Sequence, residues 1–212
     1  MFTRKVWQDL FPNQYDMVMD MCRVLHDEED IDIEKIDMEK KKRNAGGIFY
    51  VHGPSGSGKT EATIYLAHEI NGVLCSVFDP TEPGNSLMDV KQAVDENHPG
   101  KKLIMVLNEG DGMLRDVLSK HIQSQTQNQS VRTEVKNRAD LISFMDAVRS
   151  DPDIVLVITS NLPIQCIEPI DVEGAVARRF ARVYHLDHTS WNAWYPSLCY
   201  TTDKSDYGKD VS

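Results

Sequence analysis

Short contiguous apolar runs alternate along this chain with longer stretches in which apolar residues recur every three or four positions. The runs are Ile48–Val51, Val73–Phe78, Leu103–Leu107, Ile154–Ile158 and a shorter one over Arg182–Leu186. Their length and lack of polar alternation predict five strands covered on both faces. The periodic stretches predict helices over Glu61–His68, Leu87–Val94 and about Leu141–Val148, the last started by Asn137 or Asp140. Upstream, Val6, Leu10, Tyr15, Val18, Cys22 and Leu25 fall at helical spacing and Pro12 interrupts them, which predicts one helix or two short ones. Strands alternating with helices give an α/β fold, a three-layer sandwich around a parallel sheet.

One turn between a predicted strand and helix carries chemistry. Gly53-Pro54-Ser55-Gly56-Ser57-Gly58-Lys59-Thr60 meets every position of G-x-x-x-x-G-K-[ST]. Glycines let the backbone turn tightly, so that successive N–H groups form an anion nest. The following helix directs its positive N-terminal end at the same point. Lys59 is placed for β- and γ-phosphates, and the Thr60 hydroxyl for Mg²⁺. The site thus predicts a nucleoside triphosphate with Mg²⁺.

Composition narrows the setting. The chain has 212 residues and a net charge of −10, with 41% hydrophobic and 26% charged residues. That suits one α/β domain with short extensions, argues against a general nucleic-acid coat while leaving room for a local basic channel, and gives no support for binding an anionic membrane. The expected division is a helical segment and charged linker over 1–45, a core over 46–187 and a tail over 188–212. Within the linker, Asp27–Asp30 and Lys40–Arg43 read as a solvated connector, or the basic cluster as a localisation signal or nucleic-acid contact. Cys22, Cys75, Cys166 and Cys199 form no C-x-x-C pair, so reduced, mostly buried thiols are expected. With no signal-peptide core and no membrane-length apolar run, the expected location is cytoplasm or nucleus, in a host cell if the source is viral, and not outside the cell.

Three further strand ends fit the phosphate turn. Leu103–Leu107 runs into Asn108-Glu109-Gly110-Asp111, which offers Glu109 to activate water and, with Thr60 and Asn108, oxygen ligands for Mg²⁺. Ile154–Ile158 ends in Thr159-Ser160-Asn161, whose last amide can touch a γ-phosphate or the attacking water. Arg178, Arg179 and Arg182 lead into the fifth strand; Arg179 or Arg182 can reach a neighbouring subunit's nucleotide, where a guanidinium stabilises phosphoryl charge.

Taken together, these motifs resemble the AAA+ class of P-loop ATPases. The strand between the phosphate-loop strand and the acidic-ended strand is similar to the inserted central strand of such proteins, which implies spatial order 5-1-4-3-2. Asn108-Glu109-Gly110-Asp111 looks like a variant of the D-E-x-D strand end, Asn161 resembles the sensor asparagine, and Arg178-Arg179-Phe180-Ala181-Arg182 resembles the R-R-F arginine-finger segment. Asn108 stands where the class has Asp; either metal affinity or turnover falls, or Asp111 compensates. Val157–Asn161 is similar to the T-S-N motif of superfamily 3 viral replication helicases, such as the Rep proteins of small circular DNA viruses and the replication ATPases of picornavirus-like RNA viruses. The 188–212 tail is shorter than the helical lid of most AAA+ proteins, which leads us to expect either that viral branch or an unusually trimmed member of the class.

That resemblance implies an ATPase that takes ATP with Mg²⁺ and acts as a ring oligomer, a hexamer, with single-stranded DNA or RNA as partner and no membrane. Residues 112–138, with Lys120, His121, Arg132, Lys136 and Arg138, are the expected backbone-tracking loop. The aromatic tail (Trp191, Trp194, Tyr195, Tyr200) is expected to pack on the core or a neighbour. A protein-remodelling ATPase without nucleic acid, and a low-turnover nucleotide switch suggested by Asn108, stand as alternatives.

Overall fold

The computed structural model describes residues 4–26, 47–119, 133–171 and 174–187. The linker clusters, the Gln/Ser-rich centre of the expected loop (120–132) and the tail with Cys199 lie outside the described residues. Five parallel strands form the sheet: β1 (Gly47–His52), β2 (Val73–Cys75), β3 (Leu103–Leu107), β4 (Ile154–Ser160) and β5 (Arg182–His185). Their spatial order is β2-β3-β4-β1-β5, the expected 5-1-4-3-2 read from the other edge.

Side-chain alternation divides the sheet between two cores. One face carries Ile48, Tyr50, Leu103, Met105, Leu107, Leu156 and Ile158. It packs on α4 (Leu87–Asn97), α5 (Gly110–Ser119) and α6 (Arg138–Ser150) through Val94, Leu114, Leu141, Phe144 and Met145. The other carries Phe49, Val51, Ile104, Val106, Val155 and Val157 and packs on α1 (Arg4–Leu10), α2 (Pro12–His26) and α3 (Lys59–Glu69). Each of these helices buries one apolar stripe, and together the two layers cover the central strands β1, β3 and β4 on both faces.

Details differ from the sequence reading for identifiable reasons. Pro12 does split the first helix, but the buried stripe is Trp7, Leu10, Gln14, Met17, Val18 and Met21. Trp7 stacks on Tyr65 of α3 at 3.6 Å with an interplanar angle of 5°, while Tyr15, Cys22 and Leu25 are half-buried at the margin of the same core. Strand β2 stops at Cys75, where its pairing with β3 ends, short of the expected Phe78; a turn follows in which Asp79 accepts bonds from the Thr81 N–H and hydroxyl. Of the two starts considered for α6, Asn137 is the cap: its Oδ1 accepts from the N–H groups of Ala139 and Asp140 at 2.8 and 3.1 Å. Cys22 and Cys75 are only half-buried and Cys166 is exposed, so the expectation of mostly buried thiols fails for the described cysteines. Burial and the nearby Glu69 carboxylate still push the Cys22 thiol up to about 11.

Residues 112–119 belong to α5 instead of an extended loop. Gly110 opens that helix because it passes against β4: a Cβ there would lie 2.5 Å from Ile158 Cγ2. Among the described residues, no helix is long and apolar enough to cross a membrane.

Candidate nucleotide site

Parallel pairing brings the carboxyl ends of β1, β3 and β4 to one edge, where α/β sheets bind ligands. Since β4 lies between β1 and β3, Thr159-Ser160-Asn161 falls between the phosphate loop and the acidic segment. A cleft of about 280 Å³ opens there, lined by Ser55, Gly56, Gly58, Lys59, Thr60, Glu61, Asn108, Glu109, Thr159 and Asn161. Every residue expected to hold phosphate or metal, other than Gly53, Pro54 and the buried Ser57, is on that lining.

The loop has the backbone of an anion nest. Gly56 and Gly58 adopt φ of 79° and 83°, in the left-handed region that glycine enters without strain. Above Gly56 there is open space on the side a Cβ would occupy. Gly53 is required for a different reason: a Cβ would stand 2.0 Å from the Leu186 carbonyl oxygen. Its N–H donates to Ser160 O and the Leu186 N–H to His52 O, locking the root of the loop between β4 and β5. Ser57 Oγ is buried inside the loop without a hydrogen-bond partner.

Lys59 Nζ directs its donors to Gly53 O (2.7 Å), Pro54 O (2.9 Å) and Asn161 Oδ1 (3.1 Å). This ammonium is therefore aimed across the loop by the loop itself and by the end of β4. Burial lowers its pKa from the ordinary lysine value, while Glu109 and Asp111 oppose that by attraction. Behind it, the His52 and His185 rings meet through their Nδ1 atoms at 3.2 Å, and His185 Nε2 lies 2.8 Å from Asp187. Burial, His185 and Lys59 all lower the His52 pKa, which favours its neutral form.

The acidic segment is fixed through β4. Thr159 Oγ1 accepts the Glu109 N–H and donates to Asn108 Oδ1, both at 3.3 Å. The Ser160 hydroxyl lies 3.0 Å from Asp111 Oδ1 and 2.9 Å from Leu162 O, and it accepts the Leu162 N–H. Glu109 has φ of 52°, a left-handed conformation uncommon outside glycine and concentrated at functional sites. Asp111 is engaged with Ser160 on the flank of the cleft.

Oxygen ligands for a hard cation are present in Thr60, Asn108 and Glu109. Among the described residues no group of three or more His, Cys, Asp or Glu could hold a metal by itself. The donor set therefore fits Mg²⁺ carried partly by phosphate oxygens.

The arginines lie elsewhere. They enter β5 from its amino-terminal end, away from the edge bearing this chain's own phosphate loop. Arg179 is held as a fork on Asp146 of α6, Nε to Oδ1 at 2.8 Å and Nη2 to Oδ2 at 2.7 Å. Its Nη1 also donates to Ala175 O. Arg178 is exposed, and Arg182 is exposed beside Asp20 at 4.0 Å. Asp171, 3% exposed, accepts the N–H groups of Val176 and Ala177 and so holds the turn that carries Arg178 and Arg179.

Sequence reasoning assigned no role to Thr159, Ser160, Asp146, Asp171 or Gln14. Thr159 and Ser160 carried a signal, as hydroxyls ending a buried strand. Asp146 and Asp171 carried none, since an aspartate on a helix or in a turn is ordinary.

The described fold and site define a P-loop ATPase with an inserted central strand. The family model for AAA, "ATPase family associated with various cellular activities", matches residues 49–187, and the chain belongs to that family. Among solved structures it is similar to a chain of the E. coli MS115-1 HORMA:CdnC:Trip13 complex, with 13% identity and a TM-score of 0.53 over 100% of this chain and 74% of that one. A likeness at that identity is one of fold. A sequence search finds no significant match among curated proteins.

Proposed function

We propose that this chain hydrolyses ATP with Mg²⁺ at a site completed by a neighbouring copy in a ring. One observation carries the reading: the Lys59 ammonium, the Asn161 amide and the Thr159-anchored Asn108–Glu109 segment converge on one cleft beside the phosphate nest. Lys59 and the loop amides hold phosphates, Thr60 and Asn108 face the metal, Glu109 polarises water and Asn161 reads the γ-phosphate. Because Arg179 is neutralised by Asp146 within its own chain, exposed Arg178 and Arg182 are the groups offered to a neighbour's nucleotide, with Arg179 holding the segment in place. Membership in an ATPase family supports the reaction. Glu109→Gln tests it: bound ATP with phosphate release cut at least about a hundredfold is expected, and unchanged release would end the water-activating role.

The work delivered is proposed to act on single-stranded nucleic acid during genome replication, as the T-S-N strand end and the basic residues of 120–138 suggest. A second reading, remodelling of a protein partner, is favoured by α5, where Arg115 and Asp116 cancel each other in the part of 112–138 that the helix covers and that was expected to be basic. Phosphate release with and without single-stranded DNA or RNA at low salt separates them. Stimulation supports the first, and its absence leaves the second.

A further inference from the structure

We propose that Gln14 is a positioning residue for the phosphate loop and that α2 is a clamp on the back of the nucleotide cradle. The inference rests on the reading that residues 53–60 bind nucleotide. Gln14 is 4% exposed, on the stripe that α2 buries with Met17, Val18 and Met21. A primary amide in that place is costly unless it is bonded. Its Nε2 donates to the carbonyl oxygen of Ser57 at 2.8 Å, across 43 positions of sequence.

That carbonyl matters because of the peptide it belongs to. A trans, planar peptide unit sets the N–H opposite the C=O. Drawing Ser57 O backward onto α2 therefore turns the Gly58 N–H to the opposite side, that of the cradle. The contact also closes the space at Gly58, where a Cβ would meet Gln14 Nε2 at 3.2 Å. Helix α2 is itself fixed at a second point, where Tyr184 of β5 donates its hydroxyl to Asp20 at 2.8 Å. Gln14 thus reaches the loop from an anchored support.

Gln14→Met keeps length and burial but removes the donor. Kd values for ATP, ADP and tripolyphosphate are measured by calorimetry at a temperature where both proteins are folded. The expected result is a rise of about tenfold for all three ligands, the effect of losing one well-placed buried hydrogen bond. Gln14→Lys restores a donor of similar reach and is expected to recover most of the affinity. A purely structural role would lower thermal stability in both variants and leave their Kd values within about twofold of wild type; that result overturns the inference. Wild-type protein that binds ATP no better than Lys59→Ala would instead overturn the nucleotide reading, and this inference with it.

Discussion

Replacing Trp7 with Ala tests whether the two N-terminal helices fold as one unit with the body that carries the phosphate loop. Trp7 is 2% exposed. Its ring stacks on Tyr65 of α3 at 3.6 Å and meets the edge of Tyr15 at 5.7 Å. Truncating a buried tryptophan costs about 3–5 kcal/mol, from lost transfer energy and the cavity left behind. Of that, about 0.5–1.5 kcal/mol belongs to ring geometry. A domain of this size has about 5–15 kcal/mol in total, and each kcal/mol shifts Tm by about 2–4 °C. The expected fall is therefore about 6–20 °C, followed by far-ultraviolet circular dichroism on heating. Trp7→Phe keeps a ring on Tyr65 and should lose less than half as much. In a double-mutant cycle with Tyr65→Ala the two losses should be less than additive, because both remove one shared contact. A Tm change under about 2 °C, or strict additivity, would refute the reasoning.

Thr159→Val removes the hydroxyl between Glu109 N–H and Asn108 Oδ1 with little change of volume; kcat for ATP is expected to fall about ten- to hundredfold with KM nearly unchanged, and Thr159→Ser should recover it. Gly53→Ala sets a methyl against the Leu186 carbonyl and should cost about 1–3 kcal/mol of stability by urea unfolding, together with ATP affinity. Asp146→Asn tests the Arg179 fork through pH. Hydrogen bonding to Arg179 holds the Asp146 carboxyl below its ordinary value, so its contribution is fully present above the ordinary carboxylate pKa and is lost as pH falls through the lowered one. Its side chain is half-exposed, so screening limits the contribution to about 0.5–1 kcal/mol. Wild-type stability should fall more steeply than that of the variant below about pH 4, and parallel acid-unfolding curves would count against the pair.

Strands β1, β3 and β4 were legible because each is a run of apolar side chains buried on both faces, the pattern of a covered parallel sheet. The edge strands β2 and β5 are half-buried and largely exposed, respectively, against the expectation that all five would be covered. The phosphate loop was legible because its glycines and its lysine answer to phosphate geometry more than to the rest of the fold. What stayed hidden depends on contacts between distant parts of the chain. Gln14 looks like a polar interruption of α2 until Ser57 O is placed against it. Helix α5 was obscured by Gly110 and Gly112, poor helix formers, the first needed for close passage by Ile158. Arg179 read as a free cation because sequence cannot show that Asp146, one helix away, already occupies its fork.

Strand order explains why β4 is the organising element of the site. Sitting between β1 and β3, its last residues touch both neighbours: Thr159 ties Asn108 and Glu109, Ser160 ties Asp111, and Asn161 ties Lys59. The cation and the carboxylate are thus set relative to each other through one backbone, with no direct bond between them. Register supplies the precision. Thr159 pairs with Val51 and Ser160 with His52. A slip of one residue would exchange the faces of every β4 side chain, sending Val155 and Val157 into the wrong core and parting Thr159 from Glu109. The same aliphatic packing that stabilises the sheet therefore fixes the distance across the cleft, and alterations in the β4 core should be felt in turnover before they are felt in nucleotide affinity.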